Sequence, residues 1–217
     1  MKTFLLVAAA LALGATPALA HHPLGGMPME TFAQGLLSGI GHPLLGFDHL
    51  FFVIAVGVAA LYTGFPKSAP AAYIAAMLVG CLLMSFGVGL PIKEMVIGLS
   101  LLVVGAVVLS GRALGLVPAL LLFGLFGLFH GSAFGDSIAG QEASIGTAVL
   151  LGYLIGLGVL QYAIALAAGF TVKTLFGAAE AGAIQARITG ALVAGVGIFL
   201  TLENAEGIVF NALGWAA

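Results

Sequence analysis

Apolar residues fill long stretches of this chain, and polar residues are confined to short segments between them. Six apolar runs are close to the ~20 residues that a helix needs to cross the ~30 Å hydrocarbon core of a bilayer. They cover residues 43–62, 70–90, 94–110, 114–133, 144–170 and 185–202. Glycine, proline and charged residues occupy the intervening segments, as is typical of turns. The pattern predicts an all-α integral membrane protein with six transmembrane helices, preceded by a short surface helix over 31–41.

The N-terminal segment has the pattern of a secretory signal peptide. Lys2 is the positively charged start, residues 4–13 form an apolar core, and Ala18-Leu19-Ala20 matches an A-x-A cleavage site. This predicts a signal peptide over 1–20, an extracytoplasmic segment over 21–42 and a six-helix transmembrane domain over 43–217. An uncleaved first transmembrane helix is the alternative.

Composition agrees with the periodicity. Hydrophobic residues make up 62% of the 217 positions and charged residues only 6%, against roughly 25% charged in soluble domains. No basic patch suggests binding to nucleic acid. A lone Cys81 excludes an internal disulfide. Small residues at i and i+4 favour close helix packing in lipid, and such pairs occur at Gly127/Gly131 and Gly152/Gly156.

Charge distribution predicts the orientation. With the mature N-terminus outside, four of the five basic residues of the mature chain fall on the cytoplasmic side, and only Lys93 falls outside. Most acidic residues fall outside, namely Glu30, Glu94, Asp136, Glu142, Glu203 and Glu206. Both mature termini are therefore expected to be extracytoplasmic. Tyr62, Tyr73 and Trp215 are interpreted as interfacial anchors.

The first predicted span carries His42, Asp48 and His49. An ionisable side chain inside a membrane is by default a functional-site hypothesis, because burying it in lipid is costly. Pro43 suits the first position of a helix, which would place His42 just before the span. Seven positions correspond to about 10.5 Å of helix rise, so His42 and His49 are interpreted as successive handover positions for one ion. A backbone break at Gly46 is the alternative that would let both bind together.

The end of the fourth predicted span carries a second cluster. His130 falls in the same outer half of the membrane as Asp48 and His49, so the two clusters are expected to meet. Asp136 and Glu142 are predicted in the adjoining outer loop, and Glu94 at the start of the third span. Imidazole and carboxylate ligands together suit a borderline divalent transition metal better than calcium.

Purely structural roles remain open for each of these residues. His130 could hydrogen-bond between helices, Asp48 and His49 could form a buried pair that fixes packing, and Glu94 and Asp136 could be helix caps.

The segment after the predicted cleavage site offers further ligands. A freed α-amine with His21 and His22 could chelate a divalent metal, and the nearby methionines would favour copper. A solvated linker is the alternative.

Three motifs resemble those of the HupE/UreJ family of small nickel and cobalt permeases. Residues 42–49 read H-P-L-L-G-F-D-H, residues 90–94 read L-P-I-K-E, and residues 129–136 read F-H-G-S-A-F-G-D. Two positions depart from the pattern: Phe134 stands where some members have histidine, and Asp136 stands where glutamate is frequent. The resemblance implies secondary uptake of nickel, or alternatively cobalt or copper, across the bacterial inner membrane. The ion is then the substrate; no cofactor is expected, and no ATP-binding motif is present.

Two other functions fit the same residues. An intramembrane zinc-dependent hydrolase would use three ligands and a metal-bound water, but the chain has no H-E-x-x-H, and polar residues that would orient a substrate are not evident on the other spans. A metal sensor or accessory subunit would need a cytoplasmic output surface, yet the inner loops are short. A non-enzymatic protein is therefore expected, with the metal ion and the lipid bilayer as partners; homo-oligomerisation stays open.

Overall fold

A computed structural model describes residues 28–139 and 146–215, and within these ranges the chain forms helices and no strands. The predicted signal peptide, His21, His22 and Glu142 lie outside the described residues. The helices are α1 (Phe32–Leu45), α2 (Phe47–Leu61), α3 (Ser68–Ser85), α4 (Lys93–Ser110), α5 (Leu116–Ala139), α6 (Thr147–Phe170, continued by a π-helical turn Thr171–Leu175) and α7 (Ile184–Leu213). Helices α3 to α7 are each long and apolar enough to cross a membrane.

Helices α1 and α2 meet at a sharp break. Helix α1 begins at a capping box, in which Thr31 accepts from the Gln34 N–H and the Gln34 side chain accepts from the Thr31 N–H. Gly46 ends α1 and precedes α2, with an extended backbone, and the two helix axes differ by 82°.

The predicted helix start at Pro43 is wrong. Pro43 does not start a helix but lies inside α1, two residues before its end. A proline there removes one hydrogen bond to the preceding turn, a modest loss so close to the helix end. The segment 31–41 is helical as predicted, and Gly35 and Gly39 pack directly on the backbone of α6, where a Cβ would overlap the carbonyls of Val149 and Tyr153.

The broken pair α1–α2 follows α6 from end to end. Gly35 lies against Val149 near the start of α6, and Leu61 lies beside Gly169 near its end. The contacts therefore advance in the same direction along both partners, over about 30 Å of α6 at 1.5 Å per residue.

Helix α2 lies in the middle of the bundle. It packs against α6 and α4 and also contacts α3, α5 and α7. Most of its residues are buried, including His49 and Phe52. A helix that is apolar around its whole circumference is expected in such a central position, and it carries the ionisable pair Asp48–His49 into the interior.

The other close pairs also use small residues. Gly131 and Gly135 of α5 approach the backbone and side chains of α3, and a Cβ at Gly131 would overlap the Met77 carbonyl. Helices α4 and α7 approach in the same way at Gly105 and Gly190. The expected glycine-mediated packing is thus present.

Three predicted boundaries differ from the structure. Helix α5 continues to Ala139, beyond the predicted end of the span at residue 133, because the packing of Gly135 on α3 outweighs its poor helix propensity. Asp136 is therefore in the last turn of a helix and not in a loop. Helix α3 ends earlier than predicted, at Ser85, and α7 continues to Leu213.

Candidate metal site

Three histidines form a chain of neighbouring rings inside the bundle. Nδ1 of His49 and Nδ1 of His130 are 2.7 Å apart, a hydrogen-bond distance. The His49 side chain comes from the first turn of α2 and His130 from the C-terminal half of α5, and their residues are only 5% and 0% exposed. The His42 ring centroid lies 6.3 Å from that of His49. The break at Gly46 allows this approach, because an unbroken helix would separate the two by about 10.5 Å of rise.

Aromatic rings enclose the two inner histidines. Phe52 stacks on His130 with centroids 4.2 Å apart and an interplanar angle of 20°. Phe134 lies against His49 with centroids 4.0 Å apart. These rings exclude water from the imidazole pair and lower the local polarity, which strengthens electrostatic interactions there.

The outermost histidine is held by hydroxyl groups. Nδ1 of His42 lies 2.8 Å from Oγ of Ser137 and 3.1 Å from the phenolic oxygen of Tyr153. Tyr153 also donates to the Phe134 carbonyl at 3.1 Å. His42 is half-buried, so burial increases along the series from His42 to His49 to His130.

Asp48 supplies a carboxylate at the edge of this chain. Its Oδ2 lies 3.7 Å from Nε2 of His49, and its side chain is 25% exposed. Metal–nitrogen and metal–oxygen bonds of about 2.1 Å allow one cation to lie between atoms at this separation. The pair can therefore hold either a proton or a divalent ion.

The remaining carboxylates lie around this core. Asp136 forms an ion pair with Lys93, and Glu94 is exposed at the start of α4, within electrostatic range of Asp48 and Asp136. Within 28–139 and 146–215, no three His, Cys, Asp or Glu side chains form a ready-made metal cage. The two imidazoles and Asp48 are thus the most closely gathered candidates, with His42, Glu94 and Asp136 further out.

Several polar residues near the site were not singled out from the sequence. Ser100 of α4 contacts His130, while Ser137 and Tyr153 contact His42. The sequence feature that could have indicated them is a polar side chain inside an apolar run. This feature is weak evidence for serine and tyrosine, because both are common in membrane helices.

Tyr73 is not an interfacial anchor, as had been predicted. It is fully buried and donates a 2.6 Å hydrogen bond to Oε1 of Gln161, which is also buried. Polar side chains therefore lie inside α3 and α6, where these two bond to each other. A phenol buried in a bundle needs a hydrogen-bond partner, and Gln161 supplies it.

The long apolar helices indicate a multi-pass membrane protein, and a cluster of two imidazoles and a carboxylate lies between them. Residues 9–200 match the family model described as HupE / UreJ protein. The chain is also 31% identical over 193 residues to Protein HupE of Rhizobium leguminosarum bv. viciae, covering 88% of this chain and 94% of that protein. No solved structure matches the chain. The chain belongs to the HupE/UreJ family, which is associated with nickel and cobalt transport.

Proposed function

We propose that this protein is a secondary transporter that takes up a divalent transition metal, nickel before cobalt or copper, across the bacterial inner membrane. The observation that carries the proposal is the 2.7 Å contact between the buried imidazoles of His49 and His130, beside the Asp48 carboxylate. Ionisable residues placed this deeply in an apolar bundle mark ion pathways more often than packing. Family membership supports a role in metal uptake and a non-enzymatic function.

Six membrane crossings fit the helix contacts. The contacts of α1–α2 with α6 extend over about 30 Å, the thickness of the hydrocarbon core, so the broken pair counts as one span. Spans one and five then run in the same direction. Helices α3 and α5 are also parallel, since Tyr73 and Cys81 lie against Gly127 and Gly135 in that order. If the chain crosses the membrane six times in alternation, spans one and five must be parallel, and so must spans two and four. Removal of a signal peptide would place the mature N-terminus outside, and six crossings would return the C-terminus to the same side.

The site is proposed to open to the outside and to transfer the ion inward. Among the three histidines in 28–139 and 146–215, His42 is the least buried and His130 the most buried, so the ion would pass from His42 to the group formed by Asp48, His49 and His130. Glu94, Asp136 and Glu142 would attract cations to the entrance, and His21 and His22 could serve as an initial ligand pair. Several sites of moderate affinity favour conduction over permanent binding.

The ligand types support the choice of metal. Imidazole nitrogen and carboxylate oxygen suit nickel, cobalt and zinc, whereas calcium and magnesium prefer oxygen alone. The general order of divalent affinities places nickel above cobalt. Nickel is placed before copper, which that order ranks higher still, because of the membership in the HupE/UreJ family.

Uptake into proteoliposomes tests the proposal. Purified protein is reconstituted into vesicles that contain a metal-responsive fluorophore, and Ni²⁺, Co²⁺ or Cu²⁺ is added outside. We expect saturable Ni²⁺ entry that is lost in His49→Ala. Absence of entry for all three ions in well-folded protein would reject transport, and hydrolysis of a lipid or peptide with bound zinc would support the enzymatic alternative instead.

A further inference from the structure

Ser100 connects the histidine pair to the backbone of α4. Its Oγ lies 2.9 Å from Nε2 of His130 and 2.7 Å from the carbonyl oxygen of Ile97. Ser100 is fully buried. A hydroxyl group has one proton to donate, so it can donate to the imidazole or to the carbonyl at a given moment, but not fully to both.

This single choice determines where the protons of both neutral imidazoles lie. If Ser100 donates to the Ile97 carbonyl, it accepts from Nε2–H of His130, whose Nδ1 must then accept from Nδ1–H of His49. A neutral imidazole has one N–H. Nε2 of His49 therefore presents a lone pair on the side of Asp48; in this arrangement the pair can bind a cation.

The opposite choice reverses every hydrogen bond. If Ser100 donates to Nε2 of His130, then Nδ1–H of His130 donates to Nδ1 of His49, and Nε2 of His49 carries the proton facing Asp48. One hydroxyl proton and two imidazole protons are present in both arrangements, so the net charge is the same. Only the second arrangement places a proton where the cation would bind.

We propose that Ser100 is a positioning residue whose hydroxyl sets the tautomer of His130, and through it that of His49, so that Nε2 of His49 can accept the metal ion. The Ile97 carbonyl is essential because it gives the hydroxyl proton an alternative acceptor. Asp48 Oδ2 is 3.7 Å from Nε2 of His49, beyond hydrogen-bond distance, so its preference for a proton there is weaker than the 2.7 Å bond from Ser100 to the Ile97 carbonyl, and an arriving cation favours the same arrangement as that bond. The role in metal binding rests on the proposed function; the control of the tautomer does not.

Substitution of Ser100 by alanine removes the acceptor for Nε2–H of His130. A buried N–H without a partner is less tolerated than a buried lone pair, so Ser100→Ala is expected to favour the arrangement in which Nε2 of His49 is protonated. Ser100→Thr keeps the hydroxyl group and its bond to the preceding turn. If the added methyl group prevents folding, Ser100→Cys replaces it as an isosteric but weaker hydrogen-bonding variant.

Ser85→Ala is a matched control. Oγ of Ser85 also donates to the carbonyl three residues earlier, that of Leu82, at 2.7 Å. Its recorded hydrogen bond does not involve a histidine. Any effect that comes only from losing a helical serine should therefore appear in both alanine variants.

The test measures tautomers and metal affinity separately. In metal-free protein at about pH 8, ¹⁵N NMR of labelled histidine distinguishes protonated from unprotonated ring nitrogens, with signals assigned by His49→Asn and His130→Asn. Diamagnetic Zn²⁺ then serves as the binding probe by calorimetry. We expect His130 to carry its proton on Nε2 in the wild type, in Ser100→Thr and in Ser85→Ala, and on Nδ1 in Ser100→Ala.

The affinity for Zn²⁺ should fall about 10- to 100-fold in Ser100→Ala, the usual effect of losing a group that orients a metal ligand, and should recover in Ser100→Thr. An unchanged His130 tautomer in Ser100→Ala would overturn the assignment. A changed tautomer with unchanged affinity would overturn the link to metal binding. Failure of the wild type to bind Zn²⁺ would count against the proposed function, while the tautomer measurement would still decide the role of Ser100.

Discussion

Asp48 is the residue on which the energetic argument depends most directly. A carboxylate in the middle of a membrane helix costs roughly 2.5–3.5 kcal/mol on insertion scales. Asp48 lies in the first turn of α2, where the positive end of the helix dipole favours a negative charge, and it faces the His49 imidazole. These two interactions offset part of the cost and keep a charge available for a cation.

Asp48→Asn should abolish metal transport while the protein still folds and inserts. The substitution removes the charge without changing the side-chain volume, so the site loses most of its attraction for a divalent ion. Uptake into proteoliposomes measures the effect, and Glu206→Gln in the exposed end of α7 is the control. Unchanged uptake would contradict the proposed pathway, whereas failure of the variant to accumulate would favour a packing role for the Asp48–His49 pair.

His49 and His130 should behave as one binding unit. If both bind the same ion, His49→Ala and His130→Ala should each weaken metal affinity, and the double variant should lose little more than either. Affinity should also decrease as the pH falls, because protons compete for the same nitrogen lone pairs. Binding isotherms of the four proteins measure the coupling. Fully additive losses in binding free energy would place the two histidines at separate positions along the path.

At the scale of single residues, the sequence predicted the types of ligand but not their partners. The histidines and Asp48 are recognisable because ionisable residues are rare in apolar runs. Ser100 and Tyr153 are not recognisable from the sequence, because their roles depend on distant contacts. Ser100 and His130 are 30 positions apart, and Tyr153 and His42 are 111 positions apart. Tyr73 was misinterpreted for the same reason, because only the fold brings Gln161 to its hydroxyl group.

Among the helices, the break at Gly46 has the largest consequence. Pro43 suggested a helix start, but the capping box at Thr31 and the packing of Gly35 and Gly39 on α6 place the start earlier. Hydropathy alone does not find this boundary, because the apolar run beginning at residue 43 continues through the break at Gly46. The sharp turn at Gly46 then brings His42 toward His49, which a continuous helix would not do.

Close packing between α3 and α5 should depend on Gly131. Gly131→Ala places a Cβ onto the Met77 carbonyl, and overpacking of this kind typically costs about 1–3 kcal/mol. We expect a lower unfolding temperature in detergent. Gly124→Ala in the same helix is the control, since a Cβ there meets no atom within 4 Å, and it should be neutral or stabilising by up to about 1 kcal/mol. Equal effects at both positions would contradict the packing argument.

For the whole molecule, the directions of the packed helices agree with the distribution of charge. Helices α4 and α7 are antiparallel, since Gly98 lies against Thr201 and Leu109 against Gly190. In six alternating spans, α4 is the third crossing and α7 the sixth, and these two must run in opposite directions. The loop containing Lys67 and the end of α7 with Glu203 and Glu206 would then lie on opposite sides of the membrane, in the sense of the positive-inside rule.

A reporter fused after Ala217 should therefore be extracytoplasmic. An alkaline phosphatase fusion, which is active only outside the cytoplasm, should be active at this position. The same enzyme inserted after Lys67 should be inactive, and this insertion is the internal control because it tests the opposite side of the first crossing. An inactive fusion after Ala217 would mean that one of the crossings is absent, since an odd number of crossings from the outer side ends inside. Activity after Lys67 together with inactivity after Ala217 would show instead that α1 and α2 form a re-entrant hairpin, since α3 would then begin on the outer side and the five crossings α3 to α7 would end inside.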